Sequence, residues 1–369
     1  MALSLFNLSP LNQRRLQLFR KNTRGLWSFR VFMVLFGISL LAPLICNDRP
    51  LLASYKGEML FPLFVDYPES KFGGFLAKTD FRDPVNQDEI SANGWMIWPP
   101  IHYSYSTTNR ELPSPAPSKP AFLLSRAEAC AKYEKQTDDP RCQFGNLNWL
   151  GTDDKGRDVL ARLLYGFRVS VAFGLILTAF SSLIGVAAGA VQGYFGGWTD
   201  LLFQRFIDIW SAMPVLYLLI ILTAFITPSF WLLLFILLMF SWTHLVKVVR
   251  TEFLRARNLE YVRAARALGL GDMKIMAKHM LPNAMVSTIT FMPFIVSGSL
   301  TTLTSLDYLG FGMPPGSASL GEMVRQGKEN LFAPWLGITA FAVVSLLLTL
   351  LVFIGEAVRD AMDPRKTFE

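Results

Sequence analysis

The sequence predicts an all-α integral membrane protein with six membrane-spanning helices and a large extracytoplasmic insertion between the first two. Its 369 residues are 52% hydrophobic and 17% charged, whereas soluble domains average roughly 45–50% and 25%. The mean hydropathy is +0.35. A bilayer core about 30 Å thick requires a helix of about 20 apolar residues, and six runs approach this length: 29–46, 169–192, 209–226, 230–246, 284–305 and 335–354. This composition excludes a disordered protein, and three cysteines are too few for a small disulfide-rich fold.

Basic residues beside the apolar runs predict the orientation of the chain. Six of them precede or begin the first run, with no acidic residue among them: Arg14, Arg15, Arg20, Lys21, Arg24 and Arg30. Because Lys and Arg accumulate in cytoplasmic loops, we expect the N-terminal tail 1–28, the basic loop 250–283 and the C-terminal tail 357–369 in the cytoplasm. The first run has no small-residue cleavage site after it, so we interpret it as an anchor rather than a signal peptide. The net charge of +7 then requires no nucleic acid partner.

Residues 47–150 are expected outside, where their composition differs from that of the spans. Thirteen acidic residues stand against eleven basic ones there. Aromatic residues such as Trp95 and Trp98 predict a small ordered lobe, and the prolines of 113–120 predict an extended linker. Cys130 and Cys142 could form a disulfide on this side of the membrane or remain free, because two cysteines at loop spacing do not decide between the two.

Residues 151–168 predict an interfacial amphipathic helix, capped by Thr152 or Asp153, ahead of a membrane core at 169–356 that holds the other five spans. In the second span, Gly185, Gly189 and Gly193 recur every four residues. Such spacing lets another helix approach closely. We therefore expect these glycines to pack helices, and the break at 227–229 to turn the chain between antiparallel spans three and four.

The fifth span is rich in hydroxyl groups, which have two interpretations. They can line a translocation path, or they can bond to carbonyl groups of the preceding turn, and the pattern does not decide between these. The candidates for the path are Ser297, Thr301 and Thr304, with Asp307 as a cap or rim charge at the outer end.

Motifs for chemistry are missing from the chain. Gly327–Lys328 lacks the glycine and the Ser or Thr of a phosphate-binding loop, and no Gly-x-Ser-x-Gly nucleophile motif occurs. The three histidines, His102, His244 and His279, are far apart and predict no metal site. No run carries a charged residue near its centre, although ion-coupled carriers usually do. We therefore expect no catalytic residue, no metal and no bound cofactor, with energy supplied by another chain.

The basic loop between spans four and five has the most informative pattern. Tyr261, Ala264, Ala265 and Leu268 follow a helical stripe, with Arg263 and Arg266 on another face. Gly269 can end this helix, Asp272 can cap a second one, and Pro282 marks the entry into span five. The loop could merely satisfy membrane topology, or it could be a knob that docks into a partner.

Two motifs resemble bacterial ABC-importer permeases. Ala264-Ala265-x-x-x-Gly269 with Leu281-Pro282 is similar to the cytoplasmic loop that inserts a coupling helix into the ATPase, although Arg263 and His279 stand where the general pattern has Glu and often Ile. Residues 150–166 resemble the segment before span two in the second permease of dipeptide and oligopeptide importers. Nearly the whole chain is similar to the Yej type of this family, with 121–144 as an insertion.

This resemblance implies the type I ABC-importer permease architecture and import of peptides, including microcin C-like peptides, across the bacterial inner membrane. The partners it implies are a homologous second permease (YejB-like), a cytoplasmic ABC ATPase (YejF-like) that uses ATP and magnesium, and a periplasmic peptide-binding protein (YejA-like). It assigns coupling to the ATPase to ten residues: Glu260, Tyr261, Arg263, Ala264, Ala265, Arg266, Leu268, Gly269, Asp272 and Pro282. The alternatives are a self-contained secondary carrier or channel and a membrane-bound enzyme or signalling protein.

Overall fold

The computed structural model describes residues 10–110, 112–124 and 146–363, and helices dominate them. The first four helices are α1 (Pro10–Lys21), α2 (Thr23–Leu40), α3 (Ala42–Ile45) and α4 (Pro84–Asn93). The remaining ten are α5 (Val159–Phe195), α6 (Gly197–Ser211), α7 (Val215–Phe225), α8 (Phe230–Ser241), α9 (Thr243–Ala256), α10 (Glu260–Ala267), α11 (Asp272–Ile275), α12 (Leu281–Leu309), α13 (Leu320–Glu329) and α14 (Pro334–Met362). A π-helical turn, Met276–Met280, joins α11 to α12.

Five helical stretches of the described chain are long and apolar enough to cross a membrane. They are α2, α5, α8 with α9, the stretch from α11 to the end of α12, and α14. A sixth span results if α6 and α7 cross as a pair, which is bent by 62°. The bend occurs where Pro214 precedes α7, because proline cannot continue the hydrogen-bond ladder of a helix. The predicted all-α architecture with six spans is confirmed, with the bent pair of α6 and α7 as one of the six.

Two predicted boundaries differ from the structure. The interfacial helix 151–168 and the second span are one continuous helix, α5, of 37 residues. Its cap is Asp158, which accepts a hydrogen bond from the backbone nitrogen of Ala161 at 2.8 Å, and not Thr152 or Asp153. No proline interrupts 159–195, so helix propagation continues through the junction. The first span, predicted at 29–46, begins earlier because Asn22 caps α2.

The predicted lobe contains a three-stranded antiparallel sheet in the order β2-β1-β3. Its strands are β1 (Leu52–Tyr55), β2 (Glu58–Leu60) and β3 (Gly94–Ile97), with Ala53 opposite both Leu60 and Met96. The lobe core consists of Ala53, Tyr55, Leu60, Phe72, Phe81 and Ile90. The lobe therefore has a small apolar core of its own. Cys130 and Cys142 lie outside the described residues.

Helix α5 is the common wall of the membrane part. It contributes residues to each of the five buried apolar clusters that the structure describes outside the lobe. The glycines of its stripe lie against α9. A Cβ atom on Gly185, Gly189 or Gly193 would lie 2.6–2.8 Å from the carbonyl oxygen of Trp242, Val246 or Arg250. The absence of side chains therefore sets the separation of these two helices.

We predict that Gly189→Val separates α5 from α9. The new side chain has no room beside the carbonyl of Val246, and overpacking of this kind typically costs about 1–3 kcal/mol. The measurement is the thermal unfolding midpoint of the purified protein in detergent, which should fall. The matched control is Gly37→Val in α2, where an added Cβ has nothing within 4 Å. Equal midpoints for the two variants would contradict the packing role.

Candidate functional site

The segment 260–283, which we call the basic corner, contains two helices joined by a tight turn. Helix α10 ends in a Schellman motif, in which the nitrogen of Leu270 donates to the carbonyl of Ala265 at 3.2 Å and that of Gly269 donates to Arg266 at 3.0 Å. Gly269 has a φ of +77°, which glycine adopts without the steric cost of a side chain. Helix α11 begins at Asp272 and continues through the π-helical turn into α12, with Pro282 in its first turn. The turn therefore has a defined backbone geometry.

The buried side of α10 differs from the predicted stripe. Val262 and Ala265 are buried, in one apolar cluster with Tyr194 of α5 and Phe253 of α9. Tyr261, Ala264 and Leu268, which the stripe placed on the same side as Ala265, are exposed. The predicted stripe is wrong because Val262, and not Tyr261, points into the protein. The spacing of the apolar residues in α10 did not distinguish these two positions.

The outer surface of the basic corner is apolar at its tip. Leu268 is 82% exposed and Met273 is 75% exposed. Glu260, Arg263 and Arg266 are also exposed on α10. Large apolar side chains at a rigid, solvent-facing turn indicate an interaction surface. The tip therefore presents two exposed apolar side chains with charged side chains around them.

Polar contacts hold the basic corner against α5. The hydroxyl of Tyr194 donates to Oδ1 of Asp272 at 2.5 Å and accepts from Nη2 of Arg266 at 3.2 Å. The guanidinium of Arg266 also lies 5.5 Å from the centre of the Tyr194 ring. A shallow polar cavity of 500 Å³ extends from these residues to Arg257 and Asn258. Asp272 and Arg266, predicted to face the partner, thus also fix the corner to the C-terminal end of α5.

The middle of α12 has an unusual exposed face. Among residues 291–305, those exposed are Phe291, Gly298, Thr301, Thr302 and Ser305. Large apolar side chains are exposed on α7 and α8 instead, including Tyr217, Ile221, Phe225, Trp231 and Phe235. Polar side chains in spans usually face a protein interior or a water-filled cavity. This face of α12 therefore suits contact with protein or water better than contact with lipid.

The structure does not bring the four predicted path residues onto this face together. Thr301 and Thr304 line a cavity of 310 Å³ beside α13 and α14. The hydroxyl of Thr301 donates to the carbonyl of Ser297 at 2.9 Å, which is the local bonding that the sequence left open. The hydroxyl of Ser297 is buried and has no hydrogen-bond partner among the described residues.

Asp307 is not a rim charge, because its side chain is buried. It is 6% exposed, and its carboxylate accepts from the nitrogen of Met313 at 2.7 Å and from the hydroxyl of Ser319 at 2.5 Å. A Cβ on Gly312 or Gly321 would overlap Asp307. Asp307 thus fixes the loop between α12 and α13.

A buried charge network lies at the N-terminal end of α5. We use this name for Asp153, Arg157, Arg162 and Glu322. The Nε atom of Arg157 donates to Oδ2 of Asp153 at 2.7 Å, and Nη2 of Arg162 donates to Oε2 of Glu322 at 2.9 Å. Asp153 and Arg162 are fully buried. Two positive and two negative groups therefore pair inside the protein, where an unpaired charge would be costly.

The buried charge network connects three parts of the chain. Arg162 also donates to the carbonyl of Tyr105 at 3.2 Å and to that of Ser317 at 2.9 Å. Glu322 belongs to α13, which the sequence did not predict. The prediction of an amphipathic surface helix at 151–168 missed this network. The sequence feature that could have indicated it is the run of charged residues Asp153, Arg157, Asp158 and Arg162 at the start of an apolar segment.

Asp158 lies beside the network as the cap of α5. Its Oδ2 atom accepts from the amide of Asn148 at 2.9 Å, and the oxygen of Asn148 accepts from Asn109 at 2.8 Å. Burial raises the pKa of the Asp158 carboxyl from 3.8 to about 6. Buried polar groups therefore tie Asn109 and Asn148 to the start of α5.

Within the described residues, no group of three or more His, Cys, Asp or Glu side chains could hold a metal ion.

Comparison with known proteins gives a family. Residues 181–368 match the model of a protein family described as "Binding-protein-dependent transport system inner membrane component". The chain is 65% identical over 360 residues to the peptidoglycan transport system permease protein YejE of Agrobacterium fabrum, covering 98% of this chain and 94% of that one. It is 54% identical to the inner membrane ABC transporter permease protein YejE of Escherichia coli, covering 97% and 98%. The oligopeptide transport system permease protein OppC of Bacillus subtilis is 34% identical, with 59% and 72% covered. The resemblance based on the motifs is thereby confirmed.

We predict that Arg162→Met destabilises the protein strongly. The change leaves Glu322 and Asp153 with fewer positive partners in a buried site, which typically costs about 3–5 kcal/mol. The measurement is the free energy or midpoint of unfolding in detergent. The control is Arg325→Met, because the Arg325–Glu329 pair on α13 is about half exposed and ion pairs at the surface contribute about 0–1 kcal/mol. A small effect of Arg162→Met would show that the network is not needed for folding.

We also predict a pH dependence that Asp158→Asn removes. Since folding raises the pKa of Asp158 from 3.8 to about 6, its contribution to stability is complete below pH 3.8 and is lost as the pH rises through 6. Asparagine carries no such loss. The difference in the free energy of unfolding, variant minus wild type, should therefore become more positive from pH 4 to pH 6.5, by at most about 1.4 kcal/mol per pH unit. A difference independent of pH would contradict the raised pKa.

Proposed function

Since the chain belongs to the family of inner membrane components of binding-protein-dependent transport systems, we propose that it forms one half of the translocation path of an ATP-driven peptide importer. In this proposal it is a permease subunit and not an enzyme. The chain contributes helices and a docking surface, while ATP with magnesium is bound and hydrolysed by ATPase partners.

The basic corner is the observation that carries this proposal. It presents Leu268 and Met273 to solvent on a turn whose backbone is fixed by the Schellman motif. Val262 and Ala265 join the same turn to α5, α9 and α12 through a shared apolar cluster. A groove on the ATPase that receives this tip would move it as a unit. Displacement of the corner then displaces the spans, because packed interiors transmit strain.

A second permease supplies the missing wall of the path. The exposed face of α12 carries Gly298, Thr301, Thr302 and Ser305. The two threonine hydroxyls donate to carbonyls of the preceding turn, but lipid tails offer no donor to the acceptor sites of these oxygens. A homologous chain of the YejB kind would cover this face and leave water between the two. The specific partners we propose are that permease, a YejF-like ATPase and a YejA-like peptide-binding protein.

The cargo we propose is a peptide. The names of the relatives point in this direction, since one is an oligopeptide permease and another a peptidoglycan transport permease. A peptide or a peptide-bearing wall fragment shares amide groups and side chains that a hydroxyl-lined path can accommodate. Uptake of microcin C-like peptides remains a prediction of the same proposal.

The orientation that we propose places the basic corner and both termini in the cytoplasm of the inner membrane. Arginine and lysine residues concentrate in α1, the start of α2 and the basic corner, which supports this orientation through the positive-inside tendency. The lobe and the buried charge network then lie on the outer side. A binding protein would deliver its peptide there, opposite the ATPase.

A self-contained carrier or channel is not favoured. The family is one of multi-chain systems that need a binding protein, and the middle of each apolar run lacks charged residues. Proteoliposomes that contain this chain alone should not import peptide. Import by the chain alone would overturn the proposal.

We predict that Gly269→Val uncouples ATP hydrolysis from transport. A residue with a side chain is destabilised by roughly 1–2 kcal/mol at a φ of +77°, and the β-branched side chain of valine has few allowed rotamers. We therefore expect the backbone of the turn to change its conformation. The measurement is peptide imported per ATP hydrolysed by the reconstituted complex, which should fall several-fold. Gly271→Val is the matched control, because Gly271 lies two residues away with a φ of −66° and free space around it. An equal ratio in both variants would contradict the role of the corner.

A further inference from the structure

A cavity of 520 Å³ opens between α5, α7, α8, α9 and α12 at the depth of the membrane. Its volume lies within the range of about 300–1,000 Å³ that is usual for ligand pockets. Phe291 and Phe294 of α12 contribute aromatic side chains to its wall, together with aliphatic side chains of the other helices. The cavity can therefore hold an apolar group of substantial size.

Polar groups from two sides of the protein also reach this cavity. Ser241 and His244 line it from the junction of α8 and α9, and Thr302 lines it from α12. The hydroxyl of Ser241 is buried and has no hydrogen-bond partner among the described residues. The hydroxyl of Thr302 donates to the carbonyl of Gly298 at 2.9 Å and can still accept a bond.

These groups decide between a lipid and a peptide as the occupant. An acyl chain would fill the apolar part, but it would leave the hydroxyl of Ser241 without a partner, which costs about 1–3 kcal/mol. A peptide carries both kinds of group at adjacent positions, an apolar side chain and a backbone amide. Moreover, the cavity lies on the exposed face of α12 that lipid does not suit, since Gly298 and Thr302 belong to both.

We propose that this cavity is a side-chain pocket of the translocation path, which receives an apolar side chain of the transported peptide. Ser241 bonds the backbone of the peptide beside that side chain, and His244 and Thr302 lie at the same wall. The pocket selects among peptides at the permease, after the binding protein has released them. This inference rests on the proposed function, because it specifies which peptides pass.

Gly298 provides a test that does not disturb the fold. Gly298 lines the cavity, and a Cβ added to it has nothing within 4 Å, so we expect leucine at this position to occupy part of the cavity without displacing the helix. Gly37 of α2 is the matched control, since it also lies in a span with nothing within 4 Å of an added Cβ. Gly298→Leu and Gly37→Leu make the same chemical change, and only the first alters the pocket.

The experiment uses the complete complex, with its second permease, ATPase and binding protein, in proteoliposomes. Two peptides of equal length that the wild type imports are compared, one with leucine side chains and one with only glycine and serine. The ratio of their initial import rates cancels the contribution of the binding protein, which is the same in every variant. We expect Gly298→Leu to lower the leucine-to-glycine ratio about 10-fold or more, as loss of a fitting apolar pocket does, and Gly37→Leu to leave it unchanged.

A second measurement locates the peptide directly. A peptide with a photoreactive leucine should cross-link to the segment 291–302 in the wild-type complex, and this product should be lost in Gly298→Leu. An unchanged ratio, whether both rates fall or neither does, or cross-links confined to other segments would overturn the pocket. If the wild-type complex imported no peptide at all, the proposed function itself would fail, and this result differs from a failure of the pocket alone.

Discussion

The membrane part depends on one constraint, the packing of its other helices against the single long helix α5. This helix has 37 residues and is therefore about 55 Å long, at 1.5 Å per residue. It contributes to every buried apolar cluster described outside the lobe. Its glycine stripe lets α9 approach to backbone contact, where a methyl group would not fit. Without hydrophobic attraction between helices inside a bilayer, close contact of this kind supplies much of the association energy.

A second constraint explains why the chain is incomplete by itself. Hydroxyl groups and a histidine are exposed beside α12 at membrane depth, whereas α7 and α8 expose phenylalanine, leucine and tryptophan. A protein that met lipid on all sides would carry apolar residues on all sides. In the proposed importer, the apolar face meets lipid and the polar face meets a partner with water between them. Helices α7 and α8 therefore have two sides, since each exposes large apolar side chains on one side and contributes other residues to the wall of the proposed pocket.

Length and apolarity were enough to predict six spans, because the bilayer imposes them on any sequence. The bend between α6 and α7 was not predicted, since the run continued through Pro214 in composition alone. The prediction of which side of α10 is buried was wrong, because Val262, and not Tyr261, packs on α5 and α9. Asp307 and the buried charge network were missed for a common reason. Charged residues near the end of a span suggest a surface position, and only the fold reveals that loops cover them and supply their partners.

Helix α5 also connects the two ends of the molecule on which a transport cycle would act. At its start, the buried charge network joins it to the chain below the lobe and to α13. At its end, Tyr194 bonds Asp272 and Arg266 of the basic corner. Buried ion pairs have few alternative arrangements, and a capped turn with positive φ has few as well, so both ends resist local deformation. A force applied at the corner would then shift α5 as a body, and the outer end would have to move with it. The exposed polar face of α12 lies between these two ends. In the proposed transport cycle, such a shift would change the width of the path at this face.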